Sequence, residues 1–306
     1  MVGPLSIVVP VYNSAGTLPA LVERVAGALE TVVPEYEIVL VNDGSRDRSW
    51  RVIADLAAAR AEVRGLDLMR NYGQHNALLA GIRAARHPLV VTLDDDLQNP
   101  PEEIPKLLQK LDEGHDVVYG TPAVRQHGLL RALATRVTKW ALRGAIGDAA
   151  AANVSAYRAF RTQLREAFAE YEGPYVSIDV LLSWGTSNFT AIPVAHDARA
   201  EGRSSYGLAQ LATHTFNVLT GFSTRPLRIA SLVGLVFTLF GAMILVLVVV
   251  RYFVEGRVVP GFAFLASIIA IFSGVQLLTL GVMGEYLARM HVRIMDRPPY
   301  AVRDEV

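Results

Sequence analysis

Between residues 5 and 120, short apolar runs alternate with longer stretches in which apolar residues recur every three or four positions. The runs at 5–9, 36–41, 66–69, 89–93 and 116–119 predict strands, and the stretches at about 17–33, 47–61, 76–86 and 102–113 predict helices. Near-continuous apolar strands alternating with amphipathic helices predict an α/β fold, a mostly parallel, Rossmann-like sheet with helices on both faces. The polar loops after the first four strands then share one sheet edge, where ligands bind in such folds.

The pattern changes after residue 120. Residues 126–147 place Leu129, Leu130, Leu133, Val137 and Trp140 at helical spacing, interleaved with Arg131, Arg136, Lys139 and Arg143. Such a helix suits an anionic membrane surface, and equally the domain's own core. Residues 150–198 return to α/β character, with a strand predicted at 189–194. A second amphipathic segment, 206–222, leads to two spans without charge, 229–250 and 262–284. Each is long enough to cross a hydrocarbon core of roughly 30 Å. The expected organisation is therefore an α/β domain at 1–205, an interfacial segment at 206–228, a transmembrane hairpin at 229–284 and a tail at 285–306. Arg225, Arg228, Arg289, Arg293 and Arg297 flank the hairpin on its open side, while Arg251 and Arg257 lie in the connecting loop. That bias places the large domain and the tail in the cytoplasm of a multi-pass protein of the inner (plasma) membrane. The first residues lack the charged and apolar regions of a signal peptide, in keeping with that orientation.

The 29 basic and 29 acidic residues balance, so charge gives no case for nucleic acid. Cysteine is absent, which excludes disulfides, thiolate metal sites and a cysteine nucleophile. No G-x-G-x-x-G follows the first strand and no G-x-x-x-x-G-K-[ST] occurs, so dinucleotide redox chemistry and a P-loop NTPase are disfavoured. The chemistry concentrates instead in Asp94-Asp95-Asp96-Leu97-Gln98-Asn99-Pro100-Pro101-Glu102-Glu103. In an extended segment Asp94 and Asp96 point one way and Asp95 the other. That pair can share one hard divalent cation whose remaining oxygens come from a nucleotide's phosphates. The same residues also read as an acidic turn before a helix start at Asn99. Asp43, after the second strand, suits a ribose hydroxyl or a base N–H, or alternatively an Asp-Gly turn.

Eight segments carry a resemblance: Val9-Pro10-Val11-Tyr12-Asn13, Val41-Asn42-Asp43-Gly44-Ser45, Arg70-Asn71-Tyr72-Gly73-Gln74-His75, Asp94 through Glu102, Arg199-Ala200-Glu201-Gly202-Arg203-Ser204-Ser205-Tyr206, Thr224-Arg225-Pro226-Leu227-Arg228, Gly284-Glu285-Tyr286 and Arg297-Pro298-Pro299-Tyr300. Together they resemble glycosyltransferase family 2, in the branch that acts on polyprenyl phosphates. Within it the undecaprenyl-phosphate 4-deoxy-4-formamido-arabinose transferases are nearest, beside the undecaprenyl-phosphate glucosyltransferases and dolichol-phosphate mannose synthases. The resemblance spans nearly the whole chain and implies a GT-A fold with a C-terminal two-helix transmembrane hairpin. It implies a metal-dependent, inverting transfer of a sugar from a nucleotide-sugar donor, with UDP favoured over GDP as the carrier, to undecaprenyl or another polyprenyl phosphate. The product would be a lipid-linked sugar for cell-envelope modification, in lipopolysaccharide or cell wall. By motif position, Pro10, Tyr12, Asn13, Asp43, Gly44 and Asp95 would meet the nucleotide. Asp94, Asp96 and Gln98 would hold Mg²⁺ or Mn²⁺, and Asp94, Asp96 and Arg199 would carry catalysis. Arg199, Arg203, Ser204, Arg131 and Lys139 are the candidates for the acceptor phosphate, and the sequence leaves the oligomeric state open, a homo-oligomer included. Relatives often carry Lys where Ser205 stands, and some carry an acidic residue near 151–154 that is missing here. A processive polysaccharide synthase is disfavoured, because the Gln-x-x-Arg-Trp motif is missing. A non-catalytic membrane scaffold on a transferase fold is opposed by intact Asp43, Asp94, Asp96 and Gln98.

Overall fold

The computed structural model describes residues 3–122, 153–173, 175–197, 225–255 and 261–306. The elements run β1 (Leu5–Val11), α1 (Leu18–Leu29), β2 (Tyr36–Asn42), α2 (Ser49–Ala59), β3 (Val63–Leu68), α3 (Gln74–Ala84) and β4 (Leu89–Thr92). After a 3₁₀ turn at Pro101–Glu103 come α4 (Ile104–Asp112), β5 (Val117–Pro122) and β6 (Arg158–Arg161). A second 3₁₀ stretch, Thr162–Phe168, leads to α5 (Ile178–Gly185) and β7 (Phe189–Val194), and the chain continues with α6 (Arg225–Glu255), α7 (Phe262–Ile294) and β8 (Val302–Glu305).

Among the described residues, eight strands form one mixed sheet in the order β7-β5-β6-β4-β1-β2-β3-β8. Neighbours β4-β1-β2-β3 and β5-β7 run parallel, while β6 is antiparallel to both its neighbours and β8 to β3. Both faces are covered, as continuous apolar strands require. Leu5, Ile7, Val9 and Val11 of β1 join α1 and α4 in one apolar cluster, and Val8 joins α3, Phe160 and α5 in another. The five strands predicted before residue 120, and the one at 189–194, are present. β1 and β3 are longer than their apolar runs suggest, since ladder pairing extends through Pro10, Val11 and the Val63–Gly65 segment.

Two strands are additions to the sequence reading. β6 is only four residues, Arg-Ala-Phe-Arg, and it is fixed by a buried charge rather than an apolar pattern. Arg158 is 1% exposed and its Nη1 donates to Asp179 Oδ1 at 2.6 Å. The buried Tyr119 hydroxyl donates to the same oxygen at 2.9 Å, so β5, β6 and α5 meet on one carboxylate. β8, polar and exposed, closes the β3 edge; the region expected as a tail from residue 285 thus begins inside α7 and ends in the sheet.

A second buried carboxylate fastens the opposite ends of β1 and β2. Glu37 accepts from Ser6 Oγ and Arg86 N, both at 2.7 Å, and from Arg64 Nη1 at 2.8 Å. Burial alone pushes its carboxyl upward, but the Ser6 hydroxyl and the Arg64 guanidinium outweigh that, and the net pKa lies below the ordinary 4.5. A depressed carboxylate stabilises the fold above its unfolded pKa, and that contribution is lost as pH falls through the folded value. Glu37→Gln should therefore lower the melting temperature of the detergent-solubilised protein at pH 7, by about 2 kcal/mol in free energy. The gap from wild type should close as the pH falls below 4.5; a gap of equal size at pH 3 would contradict this account.

The helices α6 and α7 form a separate compact unit. Both helices are long and apolar enough to cross a membrane. Their 31 and 33 residues give lengths of about 45–50 Å at ~1.5 Å per residue. Leu239, Leu245, Leu277 and Leu278 point outward, more than 60% exposed, as lipid contact allows. The helices touch where the Phe272 ring meets Phe237 edge-on at 5.9 Å and lies over Gly241. Ser231, Thr238 and Thr279 each donate to the carbonyl four residues earlier, which satisfies their hydroxyls without water.

Candidate active site

β1 and β4 lie side by side, β2 and β3 extend on one side of them, and β6 lies on the other. The strand order therefore reverses between β1 and β4, which opens a crevice at their carboxyl ends. The loops after β1, β2, β3 and β4 converge at this edge and are stitched together by polar contacts.

The β1 loop turns at Asn13, whose φ is +55°, a left-handed conformation that asparagine tolerates. Asn13 Oδ1 accepts from Arg46 N at 2.8 Å, and Asn13 N donates to Ser45 Oγ at 3.0 Å. Ser14 N and Ala15 N donate to Ser49 Oγ and Asp47 Oδ2, so the β1 loop is laced to the β2 loop. Pro10 is buried in β1, whereas the Tyr12 side chain is 45% exposed at the crevice.

Asp43 is buried after β2 and binds the next loop rather than standing open. Its Oδ1 accepts from Tyr72 N at 2.7 Å and its Oδ2 from Gly73 N at 2.9 Å. Burial raises its pKa despite these two donors. Gly44 beside it has φ +62°, and a Cβ there would lie 2.5 Å from both Arg70 C and Asn71 N. Two loop backbones touch at this point, so only glycine fits. Gly44→Ala should cost about 2 kcal/mol or more of stability, from the left-handed backbone and the collision together. It should also reduce turnover more than tenfold by displacing residues 70–73. Thermal melting and a transfer assay on the same preparation check both.

The acidic stretch differs from its expected extended form. β4 ends at Thr92, Asp95 and Asp96 lie in a turn, and Leu97 is left-handed at φ +60°. The three carboxylates therefore spread around a turn instead of alternating across a strand. Asp94 Oδ1 accepts from Gln74 Nε2 at 2.6 Å, which ties the turn to the start of α3. Asp95 Oδ2 accepts from Tyr12 N at 3.1 Å, bridging the crevice, and Thr17 Oγ1 donates to the Asp95 carbonyl at 2.8 Å. Asp96 Oδ1 accepts from Gln98 N at 3.1 Å and closes the turn on itself. The Asp95 carboxyl is raised above its usual range, first by burial and further by Asp96, against donors from Ser14 and Tyr12.

The far side of the turn is fixed too. Gln98 O accepts from Asp197 N at 2.9 Å, and the Tyr157 hydroxyl donates to Pro100 O at 2.9 Å. Arg24 of α1 grips Glu102 with Nε at 3.0 Å and Nη2 at 2.8 Å, and Nη2 also reaches Asp197 at 3.3 Å. Its guanidinium holds Glu102 below the usual carboxylate range.

The structure thus gathers Pro10, Tyr12, Asn13, Asp43, Gly44, Asp94, Asp95, Asp96 and Gln98 at one sheet edge. Arg131, Lys139, Arg199, Arg203 and Ser204 lie outside the described residues, as do the basic stretch at 126–147 and the segment at 206–222. Gln74 and Glu102, quoted only as members of motifs, hold the turn together with Arg24 and Asp197, which the sequence pattern does not mark. Gln74 was readable as a polar residue at a strand-to-helix junction and Glu102 as part of the acidic helix start, whereas Arg24 and Asp197 are distant in sequence and carry no local signal.

The donor set around the turn is oxygen-only, which suits a hard divalent cation. Among the described residues, no three acidic or histidine side chains converge into a ready-made cage. Two carboxylates completed by phosphate oxygens and water are a usual arrangement for magnesium. The residues fit such an ion.

The fold has solved counterparts over about 71% of the chain. Glucosyl-3-phosphoglycerate synthase from Mycobacterium tuberculosis, in complex with Mn²⁺, UDP and phosphoglyceric acid, aligns with a TM-score of 0.53 at 18% identity over 71% of this chain and 76% of that one. A mostly parallel mixed sheet with an acidic turn at its switch point, superposing on that enzyme, is a GT-A glycosyltransferase fold. The family model for glycosyl transferase family 2 matches residues 6–169, and the chain belongs to that family. Curated relatives include the undecaprenyl-phosphate 4-deoxy-4-formamido-L-arabinose transferases of Shewanella sediminis and Pseudomonas aeruginosa strain LESB58. The first is 37% identical over 98% of this chain and 92% of its own length, and the second 39% over 97% and 89%.

Proposed function

We propose that this glycosyltransferase moves a sugar, with inversion, from a UDP-linked donor to undecaprenyl phosphate or a similar polyprenyl phosphate. α6 and α7 span the plasma membrane as a hairpin, with the sheet domain on the cytoplasmic side. The observation that carries this reading is the acidic turn, held at the β1–β4 crevice by Tyr12, Gln74 and Asp197. Names of full-length relatives support the lipid phosphate acceptor, and the Mn²⁺ and UDP of a structural neighbour support the donor and the metal.

Asp94 and Asp96, with Gln98 beside them, would hold Mg²⁺ or Mn²⁺, which when bound neutralises charge building on the leaving diphosphate. Asp95 has a different task, since its carboxylate holds the Tyr12 backbone and sets the width of the crevice. Tyr12 offers an exposed ring for a base to stack on. Asp43 presents the 70–74 loop at a fixed height by its two backbone bonds. The acceptor is a phosphate monoester, with a second pKa of about 6 and so mostly dianionic at neutral pH. It needs positioning by cations more than a strong base, and Arg199 and Arg203 are the residues assigned to it.

The test is a donor screen. Full-length protein in detergent is incubated with undecaprenyl phosphate, Mn²⁺ and a panel of UDP- and GDP-sugars, and lipid products are read by mass. One mass shift equal to a single sugar on the phosphate is expected, from a UDP donor. Products carrying many sugars would favour a polymer synthase instead.

A further inference from the structure

We propose that β8 acts as a strap on the site's β3–α3 loop, with Arg303 as its positioning residue. This loop, residues 69–73, delivers Gln74 to Asp94. Its far end hangs from Asp43 through Tyr72 N and Gly73 N. Its near end is held by the segment that follows α7. Met69 N donates to Ala301 O at 2.9 Å, and Arg303 Nη2 donates to Met69 O at 2.7 Å. Both backbone groups of Met69 are therefore taken by residues more than 230 positions away in sequence. The Met69 side chain is 53% exposed, so apolar packing does little to fix this residue.

The same guanidinium also binds β3, whose Asp67 leads on to the β2 loop. Arg303 Nη1 donates to Asp67 Oδ2 at 3.3 Å. Asp67 is 3% exposed, and its other oxygen accepts from Asn42 Nδ2 at 2.6 Å. Asn42 immediately precedes Asp43, and its Oδ1 accepts from Ser45 N at 3.3 Å. One planar fork thus joins the end of β3 directly to a chain of contacts that ends in the β2 loop, a geometry that a single ammonium cannot reproduce in full.

β8 itself is exposed along all four residues, so core building is a poor account of it. Covering an edge strand explains its charges, but not why one side chain bonds both Met69 and Asp67. The Arg303 side chain is 56% exposed, so its removal should cost the fold little. Its effect should fall on loop geometry.

The experiment compares full-length wild type, Arg303→Ala and Arg303→Lys by amide hydrogen exchange and by kinetics. In Arg303→Ala, exchange at residues 69–74 should rise at least about tenfold, while β1 and α6 and the melting temperature stay unchanged. kcat should fall about tenfold with it, and Arg303→Lys should recover part of both. Unchanged exchange at 69–74 would overturn the proposal, as would faster exchange across the whole sheet with a lower melting temperature. The kinetic arm rests on the transfer reaction proposed above, whereas the exchange arm does not. A wild type that makes no lipid-linked sugar would sink that reaction and leave the strap to be judged by exchange alone.

Discussion

Asp96→Asn should abolish sugar transfer, by about 10³-fold or more, while the protein still folds and inserts. The substitution keeps the size of the side chain and an oxygen that can accept from Gln98 N, so the turn can still close. What it removes is one negative charge from the pair assigned to the divalent ion. Loss of charge stabilisation worth several kcal/mol at the leaving diphosphate corresponds to that factor. Asp95→Asn should behave differently, because Asp95 is engaged with Tyr12 N and acts through the crevice. Its defect should be milder and fall mainly on the donor KM. Full transfer by Asp96→Asn in the presence of Mn²⁺ would remove the metal assignment. Steady-state kinetics with a range of Mn²⁺ concentrations measures both variants.

The largest expected effect on stability lies elsewhere, at the buried contact of Arg158 with Asp179. Asp179→Ala leaves the Arg158 guanidinium, 1% exposed, facing the Tyr119 hydroxyl without its carboxylate. An unpaired buried charge costs about 3–5 kcal/mol. Removing both charges should be cheaper than removing one, since the desolvation cost disappears along with the attraction. The double variant Arg158→Met with Asp179→Leu should therefore melt well above Asp179→Ala. If the two losses simply added, the pair would not be acting as a pair. Asp179 also lies in the first turn of α5, next to Ile178, whose N–H donates to His75 Nδ1 at 3.3 Å. Damage here should reach the site through α3.

These two residues mark the boundary of what could be read along the chain. β1 to β5 announce themselves, because strands buried on two faces must be apolar throughout and their helices must be striped. β6 does not, since Arg158–Arg161 has two charged residues in four and is held by one carboxylate 21 residues later. β8 is equally silent: Val302–Glu305 is polar and exposed, and its partners are β3 backbone and Arg64, Asp67 and Met69. Strand pairing by backbone hydrogen bonds leaves no periodic trace when neither face is buried.

The site was legible as a set of residues but not as a geometry. The four strand-end loops converge as alternation of strand and helix demands. The direction of each aspartate depended on where β4 stopped and on Leu97 entering left-handed space, which no hydrophobic period encodes. Gly44 was quoted as part of a motif, and the structure supplies the reason, the Arg70–Asn71 backbone 2.5 Å from where a Cβ would stand.

The most direct test of the account is acceptor dependence. Purified full-length protein is given radiolabelled UDP-sugar and Mn²⁺, with and without undecaprenyl phosphate, and label in the lipid fraction is counted. Label should enter lipid only when the polyprenyl phosphate is present, and a chelator should abolish it. Folded protein that labels no lipid from any donor, or that labels lipid equally well without undecaprenyl phosphate, would contradict the account.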